Sequence, residues 1–307
     1  IAVAFAVVIA DDKQQVKAPE KVELPVMKFD DVSEVAPGVF FRYSSISATD
    51  MTVPFGGSNN VWVVFKDYVV VIDANFPKEA GDVIADIRKT TKLPIKYVLD
   101  THHHGDHSSG NIVFKGLVGH VVAHENSLKN QKTAAEKAKT EDKQLYPDVT
   151  FTDGWKQKVG GERLRAYYFG PGHTNGDAII HFENANVAHM GDLVFNRRYP
   201  FVDRSAGANV QSWIAGLDKT MKTFDNKTIF VFGHAFDPEK ITGTKEDIKA
   251  FQDYLEKLLV FVGREIKAGK SKEEVMKATT VPGVTEWQGD GISRSLQAAY
   301  EELSSGN

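Results

Sequence analysis

The stretch that decides how this chain folds and what it can bind is residues 101–111, "THHHGDHSSGN". It places four histidines and one aspartate within six consecutive residues, directly after the apolar run "IKYVLD". Five such groups are costly to bury without partners, so the simplest alternative is a solvated loop that happens to be rich in histidine. The spacing H-x-H-x-D-H favours a metal site instead, because a tight turn through Gly105 can direct the first pair of side chains at one ion and the second pair at a neighbouring ion.

Three distant segments offer further metal-type ligands. "GPGHTNGD" contains His173, "AHMGDLVF" contains Asp192 and "FVFGHAFD" contains His234. Each of these residues lies at or just past an apolar run, where a loop leaves a strand and functional groups commonly collect. His103 falls outside the H-x-H-x-D-H spacing. The sequence therefore predicts that separate loops bring the other five imidazoles and two carboxylates together around a pair of cations.

Composition limits the class of protein. The 307 residues are 42% hydrophobic and 25% charged, with a net charge of −4. This balance is typical of a globular protein and disfavours a nucleic-acid partner, which would call for a basic face. No proline-, glycine- or serine-rich linker interrupts the chain after residue 36, so we expect a single domain over residues 37–307, including C-terminal helices. Residues 11–36 are polar and predict an irregular N-terminal arm.

The N-terminal segment "IAVAFAVVIA", residues 1–10, is apolar and is followed at once by "DDKQQ". It resembles the end of a secretory signal peptide, which predicts a secreted or periplasmic protein. The alternative is a buried first strand. No apolar run reaches the ~18 residues of a membrane-spanning helix, so we expect no membrane partner. The chain has no cysteine, which leaves histidines and carboxylates as the metal ligands.

Hydrophobic patterning divides the chain into alternating groups of strands and helices. "GVFFRYS", "NNVWVVFKD", "YVVVIDAN" and "PIKYVLD" predict strands, as do "RLRAYYFG", "DAIIHFE", "ANVAHMGD" and "TIFVFGHAF". Helices are predicted over "PKEAGDVIADIRKTT", over "NVQSWIAGLDKTMKTF", from residue 127 to about 142, and from residue 245 to 269. Two groups of strands, each followed by helices, predict a pair of sheets covered by helices on both outer faces.

The motifs, taken in order, resemble the metallo-β-lactamase superfamily. Six separated segments carry the resemblance across about residues 54–237: "NNVWVV", "VVVIDAN", "THHHGDH", "GPGHTNGD", "HMGDLVF" and "FGHAF". The resemblance implies an α/β fold, a four-layer αβ/βα sandwich, with a dinuclear metal site along one edge of the sheets.

The resemblance also implies a ligand set. His102, His104 and His173 would hold the first metal, and Asp106, His107 and His234 the second. Asp192 would bridge the two ions, and Asp73 in "VIDAN" would orient a ligand imidazole from the second coordination layer. Nitrogen and oxygen ligands suit two Zn²⁺ ions, although manganese or iron would accept them as well.

Such a site implies a hydrolase acting on a small molecule. Two cations about 3.5 to 4 Å apart can share a hydroxide at neutral pH, and that hydroxide would attack a cyclic amide or ester carbonyl. Asp106 would act both as a ligand and as the catalytic group that orients the nucleophile. The chain has neither a G-x-S-x-G motif nor a cysteine, so the common covalent alternatives are removed.

The substrate is less well defined by sequence. The chain departs from the cysteine-containing lactamases at Asp192 and His107, and Phe195 stands where those enzymes tend to carry a lysine. Asn196, Arg197 and Arg198 are candidate substrate contacts, because a guanidinium can bind a carboxylate through two hydrogen bonds. The alternative, given equal weight, is that the arginines lie on the surface of a loop and bind nothing. A β-lactam is the leading substrate. A lactone or thioester (glyoxalase II-like) hydrolase, an iron-dependent oxidoreductase and a metal-binding protein without turnover remain alternatives, and the oligomeric state is left open.

Overall fold

The computed structural model describes residues 28–46, 52–159, 161–235 and 242–305. The predicted signal-peptide remnant at residues 1–10 and most of the predicted arm lie outside these residues. Among the helices that the structure describes, none has both the length and the apolar character needed to cross a bilayer.

The first sheet has seven strands in the order β1-β2-β3-β4-β5-β6-β7. Pairing is antiparallel from β1 to β4 and parallel from β4 to β7. The strands are β1 Val32–Ala36, β2 Val39–Arg42, β3 Asn60–Val64, β4 Val69–Ile72, β5 Ile95–Leu99, β6 Val118–His124 and β7 Val149–Phe151.

The second sheet has six strands in the order β15-β13-β11-β10-β9-β8, and β12 pairs separately with β14. The strands are β8 Gly154–Val159, β9 Glu162–Tyr167, β10 Ile179–Phe182, β11 Val187–His189, β12 Phe195–Asn196, β13 Ile229–Val231, β14 His234–Ala235 and β15 Thr242–Gly243.

Helices follow each group of strands, as the sequence predicted. They are α1 Pro77–Thr90, α2 Gly105–Ser108, α3 Glu125–Ala138, α4 Val210–Thr223, α5 Lys245–Lys267, α6 Lys272–Val275 and α7 Ile292–Ser305. Short 3₁₀ turns, such as Gly191–Leu193, connect several of these elements.

Side chains alternate between two hydrophobic layers along the buried strands. In β4, Val70 and Ile72 face the other sheet, where they share a core with Ile180 and Phe182. Val69 and Val71 point to the opposite face and pack in the cluster that includes α1. Helices α4, α5 and α7 cover the second sheet in a third cluster. The predicted four-layer αβ/βα sandwich is confirmed.

Two local predictions need correction. The irregular arm predicted over residues 11–36 overlaps a strand, because Val32–Ala36 pairs with β2 and lengthens the first sheet. The strands β6, β7, β12 and β15 were not predicted from the sequence, and neither was β8. It lies at the edge of the second sheet, and its pairing with β9 stabilises a segment whose sequence is largely polar.

Candidate metal centre

The histidine-rich segment lies where β5 ends. After Leu99 the chain turns through residues 100–104 and then enters the short helix α2. Backbone hydrogen bonds fix this turn against both sheets: the Ala74 N–H donates to the His107 carbonyl at 2.7 Å, and the Ala178 N–H donates to the Thr101 carbonyl at 2.7 Å. The turn therefore lies at one end of the sandwich, between the two sheets.

One group of ligand-type side chains consists of His102, His104, His173 and Asp192, whose ligand atoms all lie within 4.8 Å of one another. The Nδ1 atom of His104 is 3.0 Å from Nε2 of His102 and 2.9 Å from Nε2 of His173. Oδ2 of Asp192 is 3.6 Å from Nε2 of His173. Three imidazole nitrogens thus converge on one point, with a carboxylate beside them.

A second group consists of Asp106, His107 and His234. Nε2 of His234 is 3.0 Å from Oδ2 of Asp106 and 3.5 Å from Oδ2 of Asp192. Oδ1 of Asp192 is 3.2 Å from Nε2 of His107. Asp192 therefore contacts nitrogen atoms of both groups, which is the position that a bridging carboxylate would occupy.

The outer nitrogens of three histidines are held by fixed partners. Nδ1 of His107 is 2.8 Å from Oδ2 of Asp73, and Nδ1 of His173 is 2.8 Å from the Phe201 carbonyl oxygen. Nε2 of His104 is 2.9 Å from Oδ2 of Asp203. In a neutral imidazole one nitrogen donates and the other accepts, so once each ring is neutral, donation to these oxygens would leave its inward nitrogen with a lone pair for a metal ion.

Asp73 is itself held in a fixed orientation. Its backbone adopts a φ of 59°, in the left-handed region, at the end of β4. Its Oδ1 accepts from the Thr101 N–H at 2.7 Å, and its Oδ2 accepts from the Thr101 hydroxyl at 2.9 Å. The residue lies beside His107, as expected from its motif.

Asp203 was not found by the sequence reasoning. It belongs to a loop that returns to the site, where its N–H donates to the His173 carbonyl at 3.1 Å. Its Oδ1 accepts from the Ala206 N–H at 3.1 Å and from the Ser205 hydroxyl at 2.6 Å. A carboxylate just after the apolar "PFV" was the available signal, but it does not identify the imidazole that Asp203 contacts.

Burial and neighbouring charge set the protonation of the centre. Burial lowers the pKa of His102 well below its usual value and that of His173 to about 3, so both rings are neutral. Burial alone would raise the pKa of Asp106, but the positive charge of His107 and the hydrogen bond from His234 outweigh it, and the pKa falls to about 2. Asp106 is therefore a carboxylate at neutral pH.

The residues fit a pair of cations. Nε2 of His107 and Oδ1 of Asp192 are buried and lie 3.2 Å apart, but no hydrogen bond joins them to each other or to any other described residue. Such unpaired buried atoms are rare and call for an explanation, and a cation between them provides one. The donor set of imidazole nitrogens and carboxylate oxygens suits zinc, manganese or iron.

Gly233 allows the two halves of the centre to approach each other. A Cβ atom at this position would lie 2.2 Å from Oδ1 of Asp192 and 2.9 Å from Cε1 of His107. The Gly233 N–H donates to the Gly191 carbonyl at 2.8 Å, and its carbonyl accepts from the Asn59 N–H at 3.0 Å. Any larger residue would displace the side chains of the centre.

A cavity of about 520 Å³ opens onto these residues. His104, Asp106, Asp192 and His234 form its floor, and Val53, Phe55, Phe76 and Phe201 contribute apolar surface. Phe55 is the most exposed of these four apolar residues. Its side chain is 52% exposed, and its ring lies 5.7 Å from that of His234.

The three candidate substrate contacts lie in different places. Arg198 lines the cavity, whereas Asn196 is buried in β12 beside β14. Nε of Arg197 is 2.6 Å from a carboxylate oxygen of Glu286, and its guanidinium packs over the Trp287 ring. Arg198 alone of these three therefore borders the space that a substrate could enter.

Comparison with known proteins agrees with this geometry. Residues 53–234 match the sequence profile of the metallo-beta-lactamase superfamily. The chain is 28% identical over 188 residues to metallo-beta-lactamase IND-1 of Chryseobacterium indologenes, which covers 59% of this chain and 74% of that protein.

Two further matches come from different branches. A hydroxyacylglutathione hydrolase of Methylococcus capsulatus is 32% identical over 147 residues, which is 47% of this chain and 51% of that protein. The solved structure of a metallo-beta-lactamase from Pontibacter korlensis superposes with a TM-score of 0.61 at 22% identity, covering 74% of this chain and 98% of the other. The chain thus belongs to the metallo-β-lactamase superfamily and is a metallo-hydrolase.

Proposed function

We propose that this protein opens a cyclic amide, with a β-lactam as the first candidate, using two zinc ions. We assign His102, His104 and His173 to one ion, Asp106, His107 and His234 to the other, and Asp192 to both. The observation that supports this most directly is the position of Asp192, whose carboxylate contacts both groups at the floor of a substrate-sized cavity. Similarity to metallo-beta-lactamases over more than half of the chain supports the choice of substrate.

Bound zinc would supply Lewis acidity to the carbonyl and lower the pKa of water at the site. The protein contributes positioning and proton transfer. Asp106 is an anion that lines the cavity, with its Oδ2 3.0 Å from Nε2 of His234. We propose that this carboxylate accepts the proton of the attacking water and returns it to the leaving nitrogen, so that the C–N bond breaks to give a neutral amine rather than an anionic nitrogen.

The apolar surface at the cavity has a separate role. Phe55 and Phe76 pack edge to face, with ring centroids 5.7 Å apart, and both border the floor of the cavity. A substrate ring seated against them would remove water from around the reacting carbonyl, which strengthens the electrostatic interactions in the site. This contact requires no charge on the substrate.

The test is hydrolysis of a chromogenic cephalosporin by zinc-loaded protein, together with elemental analysis of protein purified without added metal. We expect turnover, about two equivalents of zinc, and loss of turnover in Asp106→Ala with the folded structure retained. Asp148→Ala is the matched control, because Asp148 also pairs with a histidine, His120, but on the exposed surface. An unchanged rate in Asp106→Ala would refute the proposed role of this carboxylate, and stoichiometric iron would refute the zinc assignment.

A thioester is the second candidate substrate. The hydroxyacylglutathione hydrolase of Methylococcus capsulatus is the more identical of the two relatives described above, although it matches a shorter part of this chain. The same zinc-loaded protein should therefore be assayed with an acylglutathione. Activity on the thioester without activity on the cephalosporin would replace the lactamase proposal.

We also propose that the protein is exported, because residues 1–10 are apolar and directly precede a charged segment. Expression of the chain behind a signal peptide, followed by cell fractionation, tests whether it folds and binds metal outside the cytoplasm. Accumulation of folded, metal-loaded protein in the periplasm is expected, and aggregation there would argue against export.

A further inference from the structure

The C-terminal segment of the chain, residues 286–294, contributes part of the cavity wall. Asp290, Gly291 and Arg294 all line the cavity that opens onto the metal centre. The match to the superfamily ends at residue 234, so these three residues lie outside the region that the family comparison covers. The shape of this wall therefore depends on how the C-terminal segment is attached to the rest of the protein.

The C-terminal segment pairs with the loop that follows β12. The Tyr199 N–H donates to the Gln288 carbonyl at 2.9 Å, and the Gln288 N–H donates to the Arg197 carbonyl at 3.1 Å. A Cβ atom at Gly291 would lie 2.8 Å from the Tyr199 carbonyl oxygen, so the two backbones are in close contact. Because Tyr199 also lines the cavity, this pairing joins two parts of one wall.

The side chain of Arg197 holds the same two segments together. Its Nε lies 2.6 Å from a carboxylate oxygen of Glu286, and its guanidinium packs over the Trp287 ring with 5.2 Å to the ring centroid. Its Nη2 lies 3.6 Å from Oδ1 of Asp247, which belongs to the first turn of α5. The side chain is only 16% exposed and connects the loop after β12, helix α5 and the C-terminal segment.

The backbone of Arg197 is in an unfavourable conformation. Its φ is 60°, in the left-handed region, which a residue with a Cβ atom adopts at a cost and keeps only where the surrounding contacts hold it. Asn196 before it lies in β12, and Arg198 after it lines the cavity. The turn thus places Arg198 at the cavity while the Arg197 side chain contacts the C-terminal segment.

We propose that Arg197 is a positioning residue that fixes the C-terminal segment as a wall of the substrate cavity. Its guanidinium contacts Glu286, Trp287 and Asp247, and none of these is a proposed metal ligand. Arg197 therefore acts on substrate binding and not on the chemical step, which differs from the direct substrate contact expected from the sequence. Only the kinetic consequence of this inference rests on the proposed hydrolysis.

Hydrogen exchange tests the attachment without any turnover. The zinc-loaded wild type is compared with Arg197→Met and Arg197→Lys, and exchange is followed in peptides that contain Tyr199 and Gln288. Loss of a cation–π contact and of an ion pair should make these two amides exchange about 3- to 30-fold faster in Arg197→Met, with Arg197→Lys between it and the wild type. The Ala178 amide, which donates to the Thr101 carbonyl beside the metal centre, is the internal reference and should not change.

Two further variants sharpen this comparison. Glu286→Gln should accelerate exchange less than Arg197→Met, and the double variant should exchange no faster than Arg197→Met alone, because the two residues share one interaction. Arg163→Met is the control, since Arg163 pairs with Glu183 on an exposed part of β9. It should leave exchange at Tyr199 and Gln288 unchanged.

The kinetic test uses whichever substrate the zinc-loaded wild type hydrolyses, the cephalosporin or the acylglutathione. KM should rise by about threefold or more in Arg197→Met, whereas kcat should change by less than about twofold, because the wall contributes to binding and the metal ligands stay in place. Arg163→Met should match the wild type in both constants.

Several results would overturn the inference. Unchanged exchange at Tyr199 and Gln288 would show that Arg197 does not hold the C-terminal segment, and an equal acceleration at Ala178 would show a general loss of stability. Faster exchange with an unchanged KM would show that the segment is no part of the binding wall. If the wild type hydrolyses neither substrate, the proposed function fails. Calorimetric binding of the cephalosporin then replaces KM, and equal affinity of the wild type and Arg197→Met would refute the role of the wall.

Discussion

Replacement of Asp203 by Asn tests whether this carboxylate determines which ring nitrogen of His104 carries the proton. In the native arrangement, Nε2 of His104 donates to Oδ2 of Asp203 at 2.9 Å, which leaves Nδ1 as the acceptor facing His102 and His173. The side chain of Asn has almost the same shape as that of Asp, and its oxygen can still accept from the Ala206 N–H. Its amide group would then face His104 and favour the ring form in which Nδ1 carries the proton.

The expected cost follows from the geometry. Loss of an outer partner of a metal-binding histidine commonly weakens metal affinity by about 10- to 100-fold. This factor corresponds to about 1.4 to 2.7 kcal/mol. Because Asp203 contacts His104 and not the second group of ligands, the loss should fall on one of the two metal equivalents. Thermal stability of the metal-free protein should change much less.

The assay is competition for zinc against a chromophoric chelator, combined with the visible spectrum of the cobalt-loaded protein. Asp148→Asn is the control, because Oδ2 of Asp148 lies 2.8 Å from Nδ1 of His120 in an exposed pair outside the centre. We expect one weakened equivalent and an altered cobalt spectrum only in Asp203→Asn. If both variants bind two equivalents with wild-type affinity, the proposed orientation of His104 is wrong.

Three further outcomes are expected. Chelation of the metals should lower the melting temperature, since ligands present at 100 times their Kd stabilise the folded state by about 2.7 kcal/mol, and scanning calorimetry with and without chelator measures this. Leu255→Ala removes a fully buried side chain of α5 and should lower the free energy of unfolding by about 2 to 5 kcal/mol in urea titrations. Val260 lies in the same helix and is 73% exposed, so Val260→Ala should change the free energy of unfolding by less than about 0.5 kcal/mol. Burial raises the pKa of Asp177 to about 7, so the folded metal-free protein holds this proton more tightly than the unfolded chain. The contribution of Asp177 to stability should therefore fall as the pH rises from about 4 to 7. Compared with the wild type, Asp177→Asn should lose less stability, or gain more, across this range in urea titrations at several pH values.

The elements that carry the ligand motifs were predictable because their patterns are strong. β4 is a continuous β-branched run and β5 is an apolar run interrupted only by Lys96, and polar residues follow directly where the two strands end. Ends of buried strands are where loops emerge, so the positions of His102, Asp192 and His234 along the chain already indicated a shared site. The long helix α5 was evident from its helical spacing of apolar residues.

The features that were missed depend on tertiary contacts. β8 is a largely polar segment at a sheet edge, and only its pairing with β9 shows that the segment is a strand. Asp203 lies in a loop whose contact with His104 joins residues 99 positions apart. Arg294 lies on an amphipathic helix, and helical periodicity identifies its buried face without showing that its first turn borders a cavity.

Each proposed ion takes its ligands from both sheets. The turn after β5 in the first sheet carries His102 and His104 for one ion and Asp106 and His107 for the other, while His173, Asp192 and His234 come from the second sheet and its loops. The division also follows the chain, since β1 to β7 precede β8 to β15 without exchange. A cut between Phe151 and Gly154 would therefore produce two fragments that each hold an incomplete set of ligands, and zinc should promote their reassembly. In this protein the metals would stabilise the association of the N-terminal and C-terminal halves.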